Sequence, residues 1–170
     1  MRWDWDGVAF TVLHPEFGRR PREDGGAVAR VRENDRSCVV HVQAGGASLL
    51  LTGDIEARSE AAMLARGAAP LRADVLLVPH HGSRTSSSAP FLDAVAPGLA
   101  LVSAGHRNRF GHPHPAVLAR YAARGIEVRR TDLDGALRVV LPADGSRRIE
   151  VRGHGWKRRY WSERQAPLPE

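Results

Sequence analysis

The sequence predicts an α/β fold with a mixed sheet whose central strands are buried. Short apolar runs alternate with helical segments along the middle of the chain, in the order strand, helix, strand, helix, strand, helix, strand. This alternation is typical of a layered sheet with flanking helices. The length of 170 residues, with 42% hydrophobic and 26% charged residues, fits one globular domain with a sizeable core.

Antiparallel segments are predicted before this central region. Residues 7–13 alternate apolar side chains with others, which predicts a strand with one exposed face. Residues 14–36 are rich in Pro, Gly and charged residues and predict a long loop. Residues 37–43 and 47–52 flank Ala44-Gly45-Gly46, which favours a hairpin.

The later elements follow from their apolar patterns and from the residues that end them. Predicted helices are 55–66, 90–95 and 115–125, and predicted strands are 74–78, 99–104, 126–130, 136–141 and 148–151. Gly67 ends the first helix, and Pro115 is a favoured first helical residue. Residues 131–135 end in Asp134-Gly135 and predict a hairpin turn.

Charge and composition limit which partners, disulfides and membrane spans the chain can have. A net charge of +6 and a pI near 10.8 favour polyanionic partners such as nucleic acid or acidic lipid. An arginine-rich proteome from a high-GC genome explains the same charge equally well. The single cysteine, Cys38, excludes an internal disulfide framework and a CxxC zinc motif. No apolar run reaches the length of about 20 residues that spans a bilayer, so this segment itself is expected to be soluble.

The domain is predicted to occupy residues 1–152, followed by a flexible tail at 153–170. The tail is basic and aromatic and includes Lys157, Arg158 and Arg159. These residues could neutralise phosphates while neighbouring Trp and Tyr side chains stack on bases. A position at a lipid headgroup layer and a simple solvated terminus are the alternatives.

Asp54 is the first candidate site residue. It follows the apolar run 48–52, and Gly53 allows the chain to turn so that the carboxylate faces the sheet edge. Carboxylate oxygens are ligands of divalent cations. The alternative is that Asp54 caps the following helix, and both roles are compatible.

His80 and His81 form the second candidate group, at the end of strand 74–78. Imidazole is the commonest transition-metal ligand, and adjacent histidines can serve one metal and one substrate. Gly82 and several hydroxyl residues follow, of which Ser83 and Thr85 are candidate nucleic-acid contacts. A turn cap is the structural alternative for one such histidine.

A third loop after a predicted strand contains Asn108, His112 and His114. The proline between the two histidines restricts the backbone and fixes the positions of their rings. Ligands of open α/β sheets bind outside the carboxyl ends of strands, and all three loops meet that condition. A surface loop with incidental histidines is the alternative.

Taken together, these motifs resemble the C-terminal metallo-β-lactamase-like domain of ComEC-type competence proteins, which are membrane channels for DNA uptake in transformation. The resemblance rests on Asn34-Asp35-Arg36-Ser37, Leu50–Ile55, Ala73–Ser83, Thr85–Ser88, Asn108–Pro115 and Thr131–Gly135, in that order. Their order and spacing cover most of residues 8–140.

The resemblance implies an αββα sandwich and metal-assisted phosphodiester hydrolysis. Asp54 would bridge divalent ions (Zn or Mn), with His80 or His81 as a further ligand; Asn108, His112 and His114 would contact phosphate or protonate the leaving group. Implied partners are DNA and the remaining part of a ComEC-like inner-membrane protein, without a small-molecule cofactor.

One departure from the family pattern limits this expectation. The principal metal motif, His-x-His/Asp-x-Asp-His, is absent, because His14 and His41 are isolated. The chain is therefore expected to be a partial domain, the C-terminal half of the sandwich, whose metal could be missing. A non-catalytic nucleic-acid-binding or interaction module with the same fold is the alternative function.

Overall fold

In a computed structural model, residues 1–16, 32–141 and 150–153 can be described, the last four for their backbone. The strands are β1 Arg2–Trp5, β2 Val8–His14, β3 Val39–Ala44, β4 Ala47–Leu51, β5 Val75–Leu77, β6 Leu99–Val102, β7 Glu127–Arg130, β8 Leu137–Val140 and β9 Glu150–Gly153. The helices are α1 Ala57–Leu64, α2 Ala89–Val95, α3 Pro115–Ala122 and α4 Thr131–Asp134, with 3₁₀ turns at Glu33–Arg36, Ala69–Leu71 and Pro79–Gly82. No helix among these is long and apolar enough to span a bilayer.

The strands β1 to β7 form one mixed sheet in chain order. The first four pair antiparallel, and β4, β5, β6 and β7 pair parallel, with α1, α2 and α3 on the three crossovers. The strands β8 and β9 form a separate antiparallel pair. The predicted α/β class, the mixed sheet and the central alternation of strands and helices are confirmed.

The main core lies on one face of the parallel strands. Leu50, Leu76 and Ala100 occupy one register row across β4, β5 and β6, and each is fully buried. Helix side chains such as Phe91 and Val117 complete the same cluster. Full burial of side chains of this size contributes about 1.5–3 kcal/mol each to the free energy of unfolding.

A buried carboxylate joins the helices behind the site. Glu60, on α1, is fully buried and accepts hydrogen bonds from the backbone N–H groups of Ser87 at 2.6 Å and Ser88 at 2.9 Å. Burial raises the pKa of Glu60, while these hydrogen bonds and the charge of Arg120 lower it. The hydroxyl groups of Ser87 and Tyr121 lie 3.1 Å apart. The carboxylate thereby connects α1 to the segment entering α2.

One strand was not predicted, and one local prediction is wrong. The charged start of the chain contains β1, which pairs with β2; Trp3 lies opposite Phe10, and their rings stack at 5.0 Å. Residues 131–135 form α4 rather than a hairpin turn, because β7 pairs with β6, and β8 pairs with β9. The carboxylate of Asp134 accepts the backbone N–H of Arg130 and stabilises this short helix.

Candidate metal site and its supporting loops

The three loops that carry the candidate residues leave β4, β5 and β6 at the same edge of the sheet, because these strands are parallel. Backbone hydrogen bonds connect them. The N–H of His80 donates to the carbonyl of Gly53 at 3.0 Å, and the N–H of His114 donates to the carbonyl of Gly82 at 2.9 Å. The loops therefore form one connected rim.

Asp54 and His81 meet at this rim. Oδ1 of Asp54 lies 3.5 Å from Nε2 of His81, and both side chains are about half exposed. Nδ1 of His81 lies 2.8 Å from the backbone carbonyl of Ser103, which can only accept, so Nδ1 carries the proton. In the neutral imidazole this tautomer places the lone pair of Nε2 next to the carboxylate, which is the arrangement of a metal-binding histidine.

The alternative role of Asp54 as a helix cap is excluded. Helix α1 begins at Ala57, its N-cap is Glu56, and Glu56 makes no capping hydrogen bond through its side chain. The Asp54 carboxylate therefore does not cap the N-terminus of α1. Its backbone N–H donates to the hydroxyl of Ser37 at 3.1 Å, which fixes the turn.

His80 lies beside His81 in sequence but has different surroundings. Its Nδ1 lies 3.6 Å from Oε1 of Glu56 and, within the described part of the chain, this buried nitrogen has no hydrogen-bond partner. Its ring centroid lies 6.0 Å from that of His112 and 6.5 Å from that of His81. The structure brings His80 near the Asp54–His81 pair without adding it to the pair.

The backbone at the two histidines explains this divergence. Both are left-handed, with φ of 50° at His80 and 54° at His81, and Gly82 continues at 80°. Left-handed conformation costs a non-glycine residue about 1–2 kcal/mol. Strained residues of this kind cluster at functional sites, where the surrounding structure holds them. Consecutive left-handed residues direct the neighbouring imidazoles to different groups.

The segment Asn34-Asp35-Arg36-Ser37, one of the motifs that carried the resemblance, supports the rim from behind. The amide of Asn34 donates to Oε1 of Glu56 at 3.0 Å, and Oδ1 of Asp35 accepts from the hydroxyl of Ser59 at 3.0 Å. Sequence reasoning missed Glu56, although it stands two residues after the candidate ligand Asp54. An acidic residue so near a candidate ligand was the available clue.

Asn108 and His112 organise the third loop. The amide group of Asn108 accepts the N–H of His112 at 2.9 Å and donates to the carbonyl of His112 at 2.6 Å. Burial, followed by the nearby His80, His81 and His114, lowers the pKa of His112. Nδ1 of His112 is a second buried nitrogen without a hydrogen-bond partner among the described residues.

His114 has a structural role in this loop. It is the N-cap of α3, and its Nδ1 accepts the N–H of Ala116 at 3.1 Å. Any contribution of His112, His114 and Asn108 to catalysis stays a prediction.

The candidate nucleic-acid contacts divide into two groups. Ser83 is buried, and its hydroxyl lies 3.1 Å from that of Thr85, which is exposed on the same rim. The basic residues Lys157, Arg158 and Arg159 lie outside the described residues. Among those that are described, no cluster of three metal-ligating side chains occurs, so the Asp54–His81 pair supplies two potential ligands.

The comparisons with known proteins agree with this architecture. The family model described as the metallo-β-lactamase superfamily matches residues 23–106. The chain is 40% identical to competence protein ComA of Neisseria gonorrhoeae over 164 residues, covering 96% of this chain and 22% of that protein. It is 39% identical to ComE operon protein 3 of Bacillus subtilis over 131 residues, covering 76% of this chain and 15% of the relative.

Recombination protein 2 of Haemophilus influenzae is 37% identical over 149 residues, which are 88% of this chain and 17% of that protein. The chain thus spans between 15% and 22% of the length of these relatives. The matches agree with the motifs that carried the resemblance and with the mixed sheet. The chain therefore belongs to the metallo-β-lactamase superfamily and matches the C-terminal domain of ComEC-type competence proteins.

Proposed function

We propose that this chain supplies part of the active site of a metal-dependent phosphodiester hydrolase that acts on DNA during uptake. The observation that carries the proposal is the 3.5 Å separation between Oδ1 of Asp54 and Nε2 of His81. Two ligands at about 2.1 Å from a tetrahedral ion lie about 3.4 Å apart. The pair therefore fits two positions around one divalent cation, with Zn²⁺ or Mn²⁺ as the expected metal.

The roles of the other residues follow from their contacts. A bound divalent cation would lower the pKa of a coordinated water and polarise the phosphate. His81 is oriented for such an ion by its hydrogen bond to the carbonyl of Ser103. Ser37 fixes the backbone at Asp54, and Asn108 fixes the backbone at His112. His80 and His112 each hold a buried Nδ1 without a hydrogen-bond partner among the described residues, beside the proposed cation site.

The remaining ligands of a complete site would come from further residues of a longer protein. A catalytic zinc site uses about three protein ligands and an open position, which is more than the Asp54–His81 pair provides. Since the chain spans 15% to 22% of its relatives, we propose that the rest of a ComEC-like inner-membrane protein supplies them. Membrane association would come through that part.

Metal binding by the 170-residue chain tests the proposal without requiring turnover. Titration with Mn²⁺, followed by electron paramagnetic resonance, should detect one site that weakens about tenfold or more in Asp54→Asn and in His81→Gly. Glycine is chosen at position 81 because it tolerates the left-handed backbone.

Matched controls are Asp4→Asn on β1 and His106→Ala, an exposed histidine of the third loop that makes no contact described for the site. Both should leave Mn²⁺ affinity unchanged. Equal affinity in wild type, Asp54→Asn and His81→Gly would reject the shared cation. In a full-length protein containing this domain, Asp54→Asn should also abolish metal-dependent cleavage of DNA.

A non-catalytic nucleic-acid-binding module is the second candidate. Two observations favour it: the described residues bring together two ligand-type side chains rather than three, and the net charge is +6. Binding to single-stranded DNA should then weaken steeply with salt and need no metal. DNA affinity that persists in Asp54→Asn, together with no cleavage of DNA by the full-length wild-type protein, would favour this function.

A further inference from the structure

The loop between β6 and α3 places an exposed aromatic ring beside the histidines. Phe110 is 67% exposed, and its ring lies 6.0 Å from that of His112 at an interplanar angle of 21°. The guanidinium carbon of Arg109 lies 5.0 Å from the centroid of the phenyl ring. A single exposed apolar side chain is ordinary on a protein surface, but Phe110 also lines a pocket.

The pocket connects Phe110 to the Asp54–His81 pair. Its volume is about 260 Å³, and it is lined by His81, Asn108, Phe110, His112 and the backbone turn at residues 103–105. The pocket volume is slightly below the range of about 300–1,000 Å³ for small-molecule sites. A pocket of this size has room for a single ring system. Since His81 faces both the pocket and Asp54, a ligand whose anionic group binds a cation held by the pair can extend its ring toward Phe110.

We propose that Phe110 is a substrate-binding residue that stacks on the nucleobase next to the phosphodiester held through a divalent cation at Asp54 and His81. The inference rests on the proposed function and names its substrate class as a base-bearing strand. Stacking on a phenyl ring tolerates every base, because each has a π face. Arg109 would add positive charge beside the adjacent phosphate.

The surroundings favour a nucleotide over an apolar side chain of another protein segment. Imidazoles, an amide and a guanidinium border the phenyl ring. The guanidinium of Arg109 places positive charge beside the ring, which an anionic aromatic ligand uses. An aliphatic side chain would make no use of that charge.

Two labelled strands of equal length and equal phosphate number test the proposal on the 170-residue chain with Mn²⁺ at fixed low salt. One is a short oligothymidine, and the other is its abasic analogue. Wild type should bind the base-bearing strand about 5- to 150-fold more tightly, as expected for one stacked base. Phe110→Leu should remove most of this preference, and Phe110→Tyr should retain it.

Trp5→Leu is the matched control, because Trp5 is an exposed aromatic residue on β1, 74% exposed. It should retain the full preference, and Mn²⁺ affinity should be the same in every variant. Equal binding of both strands by wild type, or an equal loss in Trp5→Leu, would overturn the role of Phe110.

Such a result would leave the proposed function standing if Mn²⁺ still bound at Asp54 and His81. Conversely, a preference that depends on Phe110 without any Mn²⁺ site would support stacking and reject the hydrolase.

Discussion

The parallel half of the sheet and its antiparallel half differ in how fully they are packed. In the parallel half, Leu50, Leu76 and Ala100 lie side by side and are fully buried. In the antiparallel half, every residue of β1 is exposed and every residue of β2 is only partly buried. The difference arises because α1, α2 and α3 direct their buried side chains to the cluster formed with the parallel strands.

The candidate site belongs entirely to the better packed half. Its three loops follow β4, β5 and β6, and the backbone hydrogen bonds between them extend the packing of those strands. A metal site requires side chains whose positions are fixed by the structure behind them. The comparison therefore predicts that substitutions behind the loops cost far more stability than substitutions in β1.

Removal of the buried carboxylate should have the largest effect. Glu60→Ala leaves the N–H groups of Ser87 and Ser88 without acceptors, at about 1–3 kcal/mol for each buried donor, and opens a cavity. We expect the free energy of unfolding to fall by about 3–5 kcal/mol, measured by urea denaturation with circular dichroism. Glu127→Ala, which changes an exposed glutamate on β7, should alter it by less than about 0.5 kcal/mol. A similar small change in Glu60→Ala would show that the helices do not depend on this contact.

The contact between two site loops should have the next largest effect. A Cβ at Gly82 would lie 2.6 Å from Cβ of Pro113, and Gly82 has a φ of 80°. Gly82→Ala should lower the free energy of unfolding by about 2–4 kcal/mol, from backbone strain plus overpacking.

Gly111→Ala separates these two causes. Gly111 also has a positive φ, 65°, but a Cβ there meets nothing within 4 Å. Its substitution should cost only the strain of about 1–2 kcal/mol, measured under the same urea conditions. Equal costs for the two variants would mean that the approach of Pro113 contributes nothing.

Much of the parallel half could be predicted from the sequence, because its strands are short apolar runs and its helices begin or end at Pro and Gly. The meeting of Asp54 and His81 also follows from this topology, since adjacent parallel strands end at one edge. The antiparallel half was predicted less fully: β1 alternates Trp3 and Trp5 with Arg2 and Asp4, a short strand pattern that the sequence analysis did not use.

The separate surroundings of His80 and His81 could not be predicted either. They depend on two consecutive left-handed residues, and neither residue type requires that conformation. The role of Asn108 inside its own loop depends on contacts with His112, four residues away, which residue type alone does not specify. Such local hydrogen bonds depend on the tertiary structure. The sequence therefore identified which loops form the site, but not the role of each residue within them.

The smallest effect is expected at the exposed edge of the antiparallel half. Trp5 is 74% exposed on β1, so its replacement removes little buried area. Threonine retains a high preference for strands, and Trp5→Thr should therefore change the free energy of unfolding by less than about 0.5 kcal/mol. Leu76→Ala, in the fully buried row, should cost about 2–5 kcal/mol under the same urea conditions. If Trp5→Thr cost as much as Leu76→Ala, β1 would contribute as much packing energy as the parallel strands, and the predicted difference in stability between the two halves would be wrong.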